Sequence, residues 1–349
     1  MRIYKNIFDK IISLENLFSA WDKFKSDKQK KRDVQHFEWW LEENIFQLHR
    51  DLKSRSYRHG AYTSFYIHDP KQRHIHKAIV RDRILHHAVF IVLNPIFEPT
   101  FIPNSLSCRI GKGTHKGIDI LDKTLKQVSS NSFKPCFILK CDIKKFFETV
   151  DHSILLNIIS KRIKDADAIW LLKEIIESSI SKYSTLFERK GLPLGNLTSQ
   201  LFANIYLNEF DQFIKHKLKI KHYVRYTDDF VIVDGNKLYL ESIIASIRSF
   251  LLDKLALELH PKKVTIRKSQ QGIDFLGYVV LPHHRLLRTK TKKRIFRKLE
   301  KRIREYKSGV IGKQTLEQSL QSYLGVLSHA NTYKLEQKLK NQFWFWFSE

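Results

Sequence analysis

Apolar residues along this chain recur at two periods, and each change of period marks a new element. In "DVQHFEWWLEENIFQLHRDL", Phe37, Trp40, Leu41, Ile45 and Leu48 fall on one face at helical spacing, and residues 1 to about 60 read as helical. The stretch "AYTSFYIHDPKQRHIHKAIV" instead alternates apolar with polar, which predicts a hairpin turning at Asp69-Pro70. Helical spacing returns in "RDRILHHAVFIVLNPIFEP", with a stop expected at Pro95 or Pro99. A loop around Gly111 and Gly113 then opens a further helix near Thr114.

From Lys134 onward the pattern sharpens. "KPCFILKCDIKKFF" predicts a strand ending in Asp142, followed by a helix through "DHSILLNIISKRI". "KGLPLGNLTSQLFANIYLNEFDQFI" predicts a turn-rich loop feeding a helix whose buried stripe is Leu201, Phe202, Ile205, Tyr206, Phe210 and Phe213. "HYVRYTDDFVIVDG" reads as a second hairpin, "LYLESIIASIRSFLLDKLALEL" as a helix and "KKVTIRKSQQGIDFLGYVVLP" as a strand pair. This order predicts an α+β layer around an antiparallel core. In the last third, Ile295, Phe296, Leu299, Ile303 and Tyr306 share one helical face.

Charge adds a partner to this picture. The 349 residues carry 62 Lys and Arg against 36 Asp and Glu, a formal net charge of +26. Between Arg285 and Ser308 alone, twelve Lys or Arg stand against two Glu, a net of +10. That excess is too one-sided for intrahelical pairing, and nucleic acid is the partner it implies. The competing explanations are an ordinary basic surface or an anionic membrane. At 42% hydrophobic and 12% aromatic the chain is expected to be globular. Cys108, Cys136 and Cys141 form no C-x-x-C pair, and their odd number argues against a disulfide framework. The N-terminus lacks a secretory signal pattern, and no run approaches the ~20 apolar residues of a membrane span. A cytoplasmic protein without a membrane partner is expected.

The chemistry centres on "RYTDDFVIVDG", where Asp228 and Asp229 are adjacent between two apolar runs. Aspartate suits a tight turn, and a plain Asp-Asp turn is one explanation. Clustered carboxylates become favourable once a divalent cation is present, and Asp142 supplies a third at the end of its strand. With that strand beside the hairpin, Asp142 and Asp228 could hold two metals ~3.5–4 Å apart for phosphoryl transfer. His74 with His76, His86-His87 and His283-His284 lack the Cys/His spacing of a zinc site. "GKGT" at 111–114 lacks the full phosphate-loop pattern and reads as a turn. The six tryptophans, Trp344 and Trp346 among them, read as core before stacking platforms.

"YTDD" between apolar strands, "KCDIKKFFETVDH" upstream and "GLPLGNLTSQLFANIYLNEFD" between them resemble the ordered blocks of reverse transcriptases. "HKAIVRDRILHHAVF", "SCRIGKGTHKGI", "IDFLGYVV" and "SYLGVLSHANTYKLEQKL" resemble bacterial members, in the family's order from about residue 35 onward. The resemblance implies a right-hand polymerase: an N-terminal helical extension (1–60), fingers (61–134), a palm (135–282, with a finger-like insertion at about 152–190) and a basic helical thumb (283–349). It implies Asp142, Asp228 and Asp229 as catalytic residues and metal ligands, joined by the backbone carbonyl of Ile143. It further implies two Mg²⁺ ions, with Mn²⁺ as a substitute, and deoxynucleoside triphosphates as substrates. Phe147 matches the bulky gate that rejects a ribose 2′-OH. Lys71 and Arg73 fall where the family grips the incoming triphosphate, on one face of their strand. Arg109 would position template or nucleotide. Arg288, Lys292, Lys293, Arg297 and Arg304 are expected to lie along template, primer and cDNA.

Many members have glutamine where Leu194 stands. The aliphatic residue followed by "GNLTSQ" is similar to reverse transcriptases of diversity-generating retroelements. Leucine offers shape but no hydrogen bond, and losing one such contact removes on the order of 1 kcal/mol of discrimination. Leu194 packing beneath the helix is the alternative. Gln200, with Ser199, falls in the first helical turn, where backbone N–H groups favour phosphate. Asn196 or Thr198 could be ordinary caps. The resemblance implies error-prone copying of a template-repeat RNA, with mutagenesis at adenine, and a small basic accessory variability protein forming an oligomeric ring. Maturase and endonuclease appendages, and a retron-type Val-Thr-Gly signature, are not found in the sequence. A defence-associated or other bacterial reverse transcriptase, and an RNA-binding scaffold with a vestigial active site, are the alternatives.

Overall fold

A computed structural model describes residues 2–69, 72–179, 181, 183–185 and 189–348. The N-terminal region is helical as expected: α1 (Phe8–Ile12), α2 (Leu14–Lys25), α3 (Arg32–Trp39) and α4 (Leu41–Lys53). Ser13 starts α2 by accepting the Asn16 amide at 3.2 Å. The expected apolar face is interrupted at Trp40. There the backbone leaves the helix (φ −120°, ψ 41°) and the indole is 59% exposed, while Phe37, Ile45 and Leu48 are buried.

β1 (Thr63–Ile67) and β2 (Arg73–Lys77) form the first expected hairpin, with Ile67 opposite Arg73. Pro70, in its expected turn, and Lys71 lie outside the described residues. Of the two stops expected, Pro95 or Pro99, the helix passes the first and ends two residues before the second. α5 (Val80–Phe97) carries Pro95 in its last turn, where the lost N–H and the ring's crowding of the preceding turn coincide with the end of the helix two residues later. α6 (Thr114–Val128) opens at Gly113, whose φ of 120° few side-chain-bearing residues adopt.

β3 (Phe137–Asp142) ends at Asp142 as expected. A short helix, α7 (Phe146–Thr149), precedes α8 (His152–Ser160), and the Asp151 carboxylate caps α8 by accepting the Ile154 amide at 3.0 Å. Next come α9 (Ala166–Glu177), α10 (Leu197–Gln212), β4 (Tyr223–Tyr226), β5 (Asp229–Asp234), α11 (Lys237–Leu255) and β6 (Thr265–Lys268). β7 (Ile273–Phe275), β8 (Tyr278–Val280) and β9 (Arg285–Leu287) lead into α12 (Thr289–Lys307), α13 (Lys313–Leu327) and α14 (Tyr333–Ser348).

The chain forms two compact units. The first comprises Met1–Cys108, Asp142–Ile220 and Ala245–Lys262. Its centre is α5, packed by α2 and α10 through Trp21, Phe24, Ile84, Leu85 and Phe202. Each large apolar side chain so buried stabilises the fold by about 1.5–3 kcal/mol. α10 buries more than the predicted stripe, since Thr198, Ser199, Asn204 and Asp211 are also buried, whereas Phe213 is only half-buried.

The second unit comprises Arg109–Cys141, Lys221–Ile244 and Lys263–Glu349. Its principal sheet has the order β4-β5-β3-β6, with β4–β5 and β3–β6 antiparallel. The strand pair expected near residues 263–281 is divided. β6 completes this sheet, while β7, β8 and β9 make a separate antiparallel one. In α12 the predicted face is present: Ile295, Leu299 and Ile303 are buried, Phe296 and Tyr306 half-buried. Trp344, expected in the core, is 60% exposed. The α+β organisation with antiparallel sheets is the one expected. Among the described residues, no helix is long and apolar enough to cross a membrane.

Candidate functional site

In the second unit, the chain reverses between β4 and β5 with Tyr226 directly opposite Asp229. Thr227 and Asp228 therefore form the whole loop, and Asp229 opens the following strand. Two-residue hairpin loops demand a left-handed residue, usually glycine or asparagine. Here Thr227 takes that conformation, at φ 53°. A β-branched residue there is strained by on the order of 1–2 kcal/mol and persists only where its surroundings enforce it.

Arg225 is part of that enforcement. It is fully buried and its guanidinium donates to the Thr227 carbonyl at 3.2 Å. The Lys140 ammonium lies 3.5 Å from Asp229 Oδ2 and donates to the Asp274 carbonyl at 2.5 Å. Lys140 offsets part of the repulsion between the adjacent aspartates while Arg225 holds the turn, and neither was a predicted site residue. Each had a signal. Arg225 interrupts an apolar strand, and Lys140 stands two residues before Asp142, on the same face of β3.

β3, which Asp142 closes, is the sheet neighbour of β5. The Asp142 carbonyl accepts the His260 amide at 2.8 Å, and buried Ile143 bridges Leu259. The backbone at Asp142 and Ile143 is thereby held against the 259–260 segment. Among the described residues, no three His, Cys, Asp or Glu side chains gather into a self-sufficient metal cage. Hard carboxylate oxygens in ones and twos still match Mg²⁺, which completes its shell with phosphate and water.

The first unit holds the other predicted residues. On β2, Arg73 is exposed and shares a strand face with Ile75 and Lys77. Lys77 and Arg83 both bond the Asp33 carboxylate, at 2.7 and 2.6 Å, and hold it below the usual carboxylate range against the opposing cost of burial. Leu194 is half-buried, and its carbonyl accepts the His76 amide at 2.9 Å. Gly195 follows with φ 121°, and a Cβ there would stand 3.1 Å from Ile75. The Leu194 loop thus lies against the hairpin.

Phe147 is half-buried beside buried Phe146, and its carbonyl accepts the Leu192 amide at 2.6 Å. The expected gate and the Leu194 loop are therefore two residues apart through one hydrogen bond. Gln200 is exposed in the first turn of α10. Asn196 occupies the N-cap position without capping, and its amide donates to the Tyr62 hydroxyl at 3.4 Å. Asn196, Gln200, Ile75, Phe65 and Phe24 line a cavity of about 340 Å³.

Arg109 is a half-buried loop residue of the second unit. In the segment expected to form a thumb, Arg288 donates to Asp274 and Arg304 to Glu300. Lys292, Lys293 and Arg297 are exposed. The histidine pairs do not behave alike. His86 is buried and pushed down to about 3 by desolvation, whereas His283 and His284 are exposed.

Comparison with known proteins agrees with the geometry. A family model described as reverse transcriptase (RNA-dependent DNA polymerase) matches residues 68–280. The group II intron-encoded protein LtrA of Lactococcus lactis subsp. cremoris is 25% identical, over 87% of this chain and 58% of its own length. Protein YkfC of Escherichia coli (strain K12) is 28% identical, over 61% of this chain and 62% of its own. The structure of telomerase from Candida albicans, in complex with a fragment of telomeric RNA, has a TM-score of 0.53 at 12% identity. That likeness covers 90% of this chain and 59% of the telomerase chain, and it concerns the fold. The chain spans about three fifths of the length of these relatives. With the family model covering well over half of its residues, the chain belongs to the reverse transcriptase family.

Proposed function

We propose that this protein is an RNA-directed DNA polymerase that copies a template-repeat RNA, with errors at adenine, for a diversity-generating retroelement. The observation that carries the polymerase reading is the strained Thr227-Asp228 turn, stiffened by Arg225, inside a matched reverse transcriptase segment. Strain retained at a carboxylate pair is what a preorganised site requires. Two Mg²⁺ ions, or Mn²⁺, when bound would activate the primer 3′-hydroxyl and neutralise the leaving pyrophosphate.

Asp142, Asp228 and the Ile143 carbonyl would hold the ions, with Asp229 beside them. Lys140 would orient the Asp229 carboxylate. Arg73, exposed on β2, would hold the triphosphate, together with Lys71. Phe147 would exclude the ribose 2′-OH. Leu194 would meet the nascent base pair through shape and dispersion, with Gln200 and Arg109 nearby in role. Arg288, Lys292, Lys293, Arg297 and Arg304 would track the duplex backbone, Arg288 and Arg304 from the positions that their bonds to Asp274 and Glu300 give them. The adenine-directed reading rests on Leu194 and its following residues. The partners would be template and primer RNA, cDNA and the small basic ring-forming accessory protein, in the cytoplasm.

Similarity to LtrA along 87% of the chain favours a second reading, a reverse transcriptase of the group II intron type with ordinary accuracy. Primer extension on RNA with Mg²⁺ tests the first step. Extension should occur and should fall by on the order of 10³-fold or more in Asp228→Ala. An inert wild type favours the scaffold reading. Sequencing the cDNA then separates the two polymerases, because uniform accuracy opposite template adenine excludes the retroelement role.

A further inference from the structure

Inside the first unit, a line of polar side chains runs through the apolar core from α5 to the first turn of α10. Asp82 is fully buried on α5. It accepts from the Tyr57 hydroxyl at 2.9 Å, the Gly60 amide at 2.8 Å and Arg81 Nε at 3.2 Å. The His59 ring lies against it, Nδ1 being 3.5 Å from Asp82 Oδ2 and 2.7 Å from the Gly60 carbonyl. His59 Nε2 is 3.2 Å from Nε2 of His86, one helical turn beyond Asp82. His86 Nδ1 is 2.7 Å from Thr198 Oγ1, in the first turn of α10. Tyr62 joins the side of the line, touching His59 Nε2 at 3.2 Å and receiving the Asn196 amide at 3.4 Å.

The chemistry gives this line a direction. A carbonyl only accepts, so His59 Nδ1 carries the proton that points to Gly60. Burial keeps His86 neutral, with one donor and one acceptor nitrogen. With His59 Nε2 as acceptor, His86 Nε2–H donates to it, and His86 Nδ1 accepts from the Thr198 hydroxyl. Each ring nitrogen then has one hydrogen-bond partner, the Tyr62 hydroxyl donating instead to Ser178 Oγ at 2.7 Å, and the buried Asp82 carboxylate, reached through the Gly60 amide, anchors the far end. Leu, Ile or Phe would fill the space around position 86, so the imidazole is retained at a desolvation cost that packing does not require.

We propose that His86 is a positioning residue for nucleotide selection: with His59 it ties Thr198 to Asp82, and so fixes the Leu194–Gln200 segment against the β2 strand. The consequence for nucleotides rests on the reading of Leu194 as the residue that meets the nascent base pair. Asn196, held through Tyr62, and Leu194, held by the His76 amide, are the points through which the anchoring reaches the loop.

The test uses the full chain carrying His86→Leu, His86→Gln or Thr198→Val, with far-ultraviolet dichroism and thermal melting as controls for folding. Hydrogen exchange is read first, because it does not depend on activity. Exchange at the His76 amide and at Thr198–Gln200 should accelerate about tenfold in His86→Leu, since losing one such anchor is worth about that factor. His86→Gln, which can donate and accept, should stay within threefold of wild type. Steady-state extension follows. KM for the nucleotide should rise about tenfold in His86→Leu and Thr198→Val with kcat within threefold, and His86→Gln should restore it. Unchanged exchange in a folded His86→Leu protein overturns the anchoring. Faster exchange with kcat and KM both unmoved overturns the role in nucleotide selection. An inert wild type would defeat the polymerase reading alone, and the exchange result would still decide the anchoring.

Discussion

The β1–β2 hairpin leaves Phe65, Tyr66 and Ile67 at 44%, 56% and 42% exposure, while β4–β5 buries Tyr223, Val224, Phe230, Val231, Ile232 and Val233. The same antiparallel pairing is therefore held by different forces. The first hairpin relies on its ladder, a ring stack of Tyr66 on His74 at 4.6 Å and polar bonds from His76 to Leu194 and from Lys77 to Asp33. The second is secured on both faces by apolar burial, and this lets it carry a strained turn and two adjacent carboxylates. Exposed elements with few buried contacts open at low free energy, whereas core strands open only with the whole unit. A segment that grips and releases a substrate suits the first setting, and a fixed pair of ligands suits the second.

The largest effect should come from removing the guanidinium beneath the buried turn. Arg225→Met keeps length and apolar surface but deletes the donor to the Thr227 carbonyl. We expect a loss of about 2 kcal/mol, the cost of disrupting a buried, charge-assisted hydrogen bond. Chemical denaturation measures it, and a change below 0.5 kcal/mol (about the scatter of surface substitutions) would mean that apolar packing alone secures the turn.

Arg73→Ala probes the exposed hairpin. Arg73 is exposed at the start of β2, so unfolding stability should stay within about 0.5 kcal/mol. If the residue grips the triphosphate, KM for nucleotide should rise about tenfold, the effect of losing one charge-assisted contact. Stability and KM then separate in this hairpin.

How much of this contrast could be read in the sequence differs between the hairpins. Strict alternation located the first, and an apolar run around "YTDD" located the second, because period-2 patterning and continuous burial both leave a local trace. The strand ending at Asp142 and the helix after Asn196 were legible for the same reason. The polar line from Asp82 to Thr198 was not. Its members are 57–62, 82–86 and 196–198, and only the packing of α5 on α10 brings them together. The spacing of His86-His87 argued against a metal site but pointed to no partner, and the contacts that His86 makes, with His59 and Thr198, lie 27 and 112 residues away. Trp40 was misassigned for a related reason. Its spacing fits a helical face, but the helix ends there and the ring faces outward.

Acid should distinguish the hairpins next. His74 and His76 have ring centroids 4.3 Å apart on β2, and partial burial together with the neighbouring His74 lowers the His76 pKa. A depressed histidine pKa means that the folded state favours the neutral ring. Its contribution is present above the unfolded value of about 6.5 and is lost as pH falls below it. Hydrogen exchange of β1–β2 amides, corrected for intrinsic pH dependence, should rise several-fold between pH 7.5 and 5. β4–β5, which contains no histidine, should show no such change. Equal acceleration in both would place the titrating group elsewhere.

The smallest effect should come from relieving the strained residue. Thr227→Gly removes the penalty of a β-branched side chain at φ 53° but adds freedom to the unfolded chain. These terms oppose each other, leaving a net gain below about 1 kcal/mol. The informative quantity is activity at unchanged or improved stability. If the strained turn exists to hold Asp228 in place, Thr227→Gly should lower primer extension several-fold, and Mg²⁺ should be needed at higher concentration for half-maximal rate. A variant that is both more stable and equally active would show that the buried hairpin tolerates this strain without using it, and the difference between the two hairpins would then lie in packing alone.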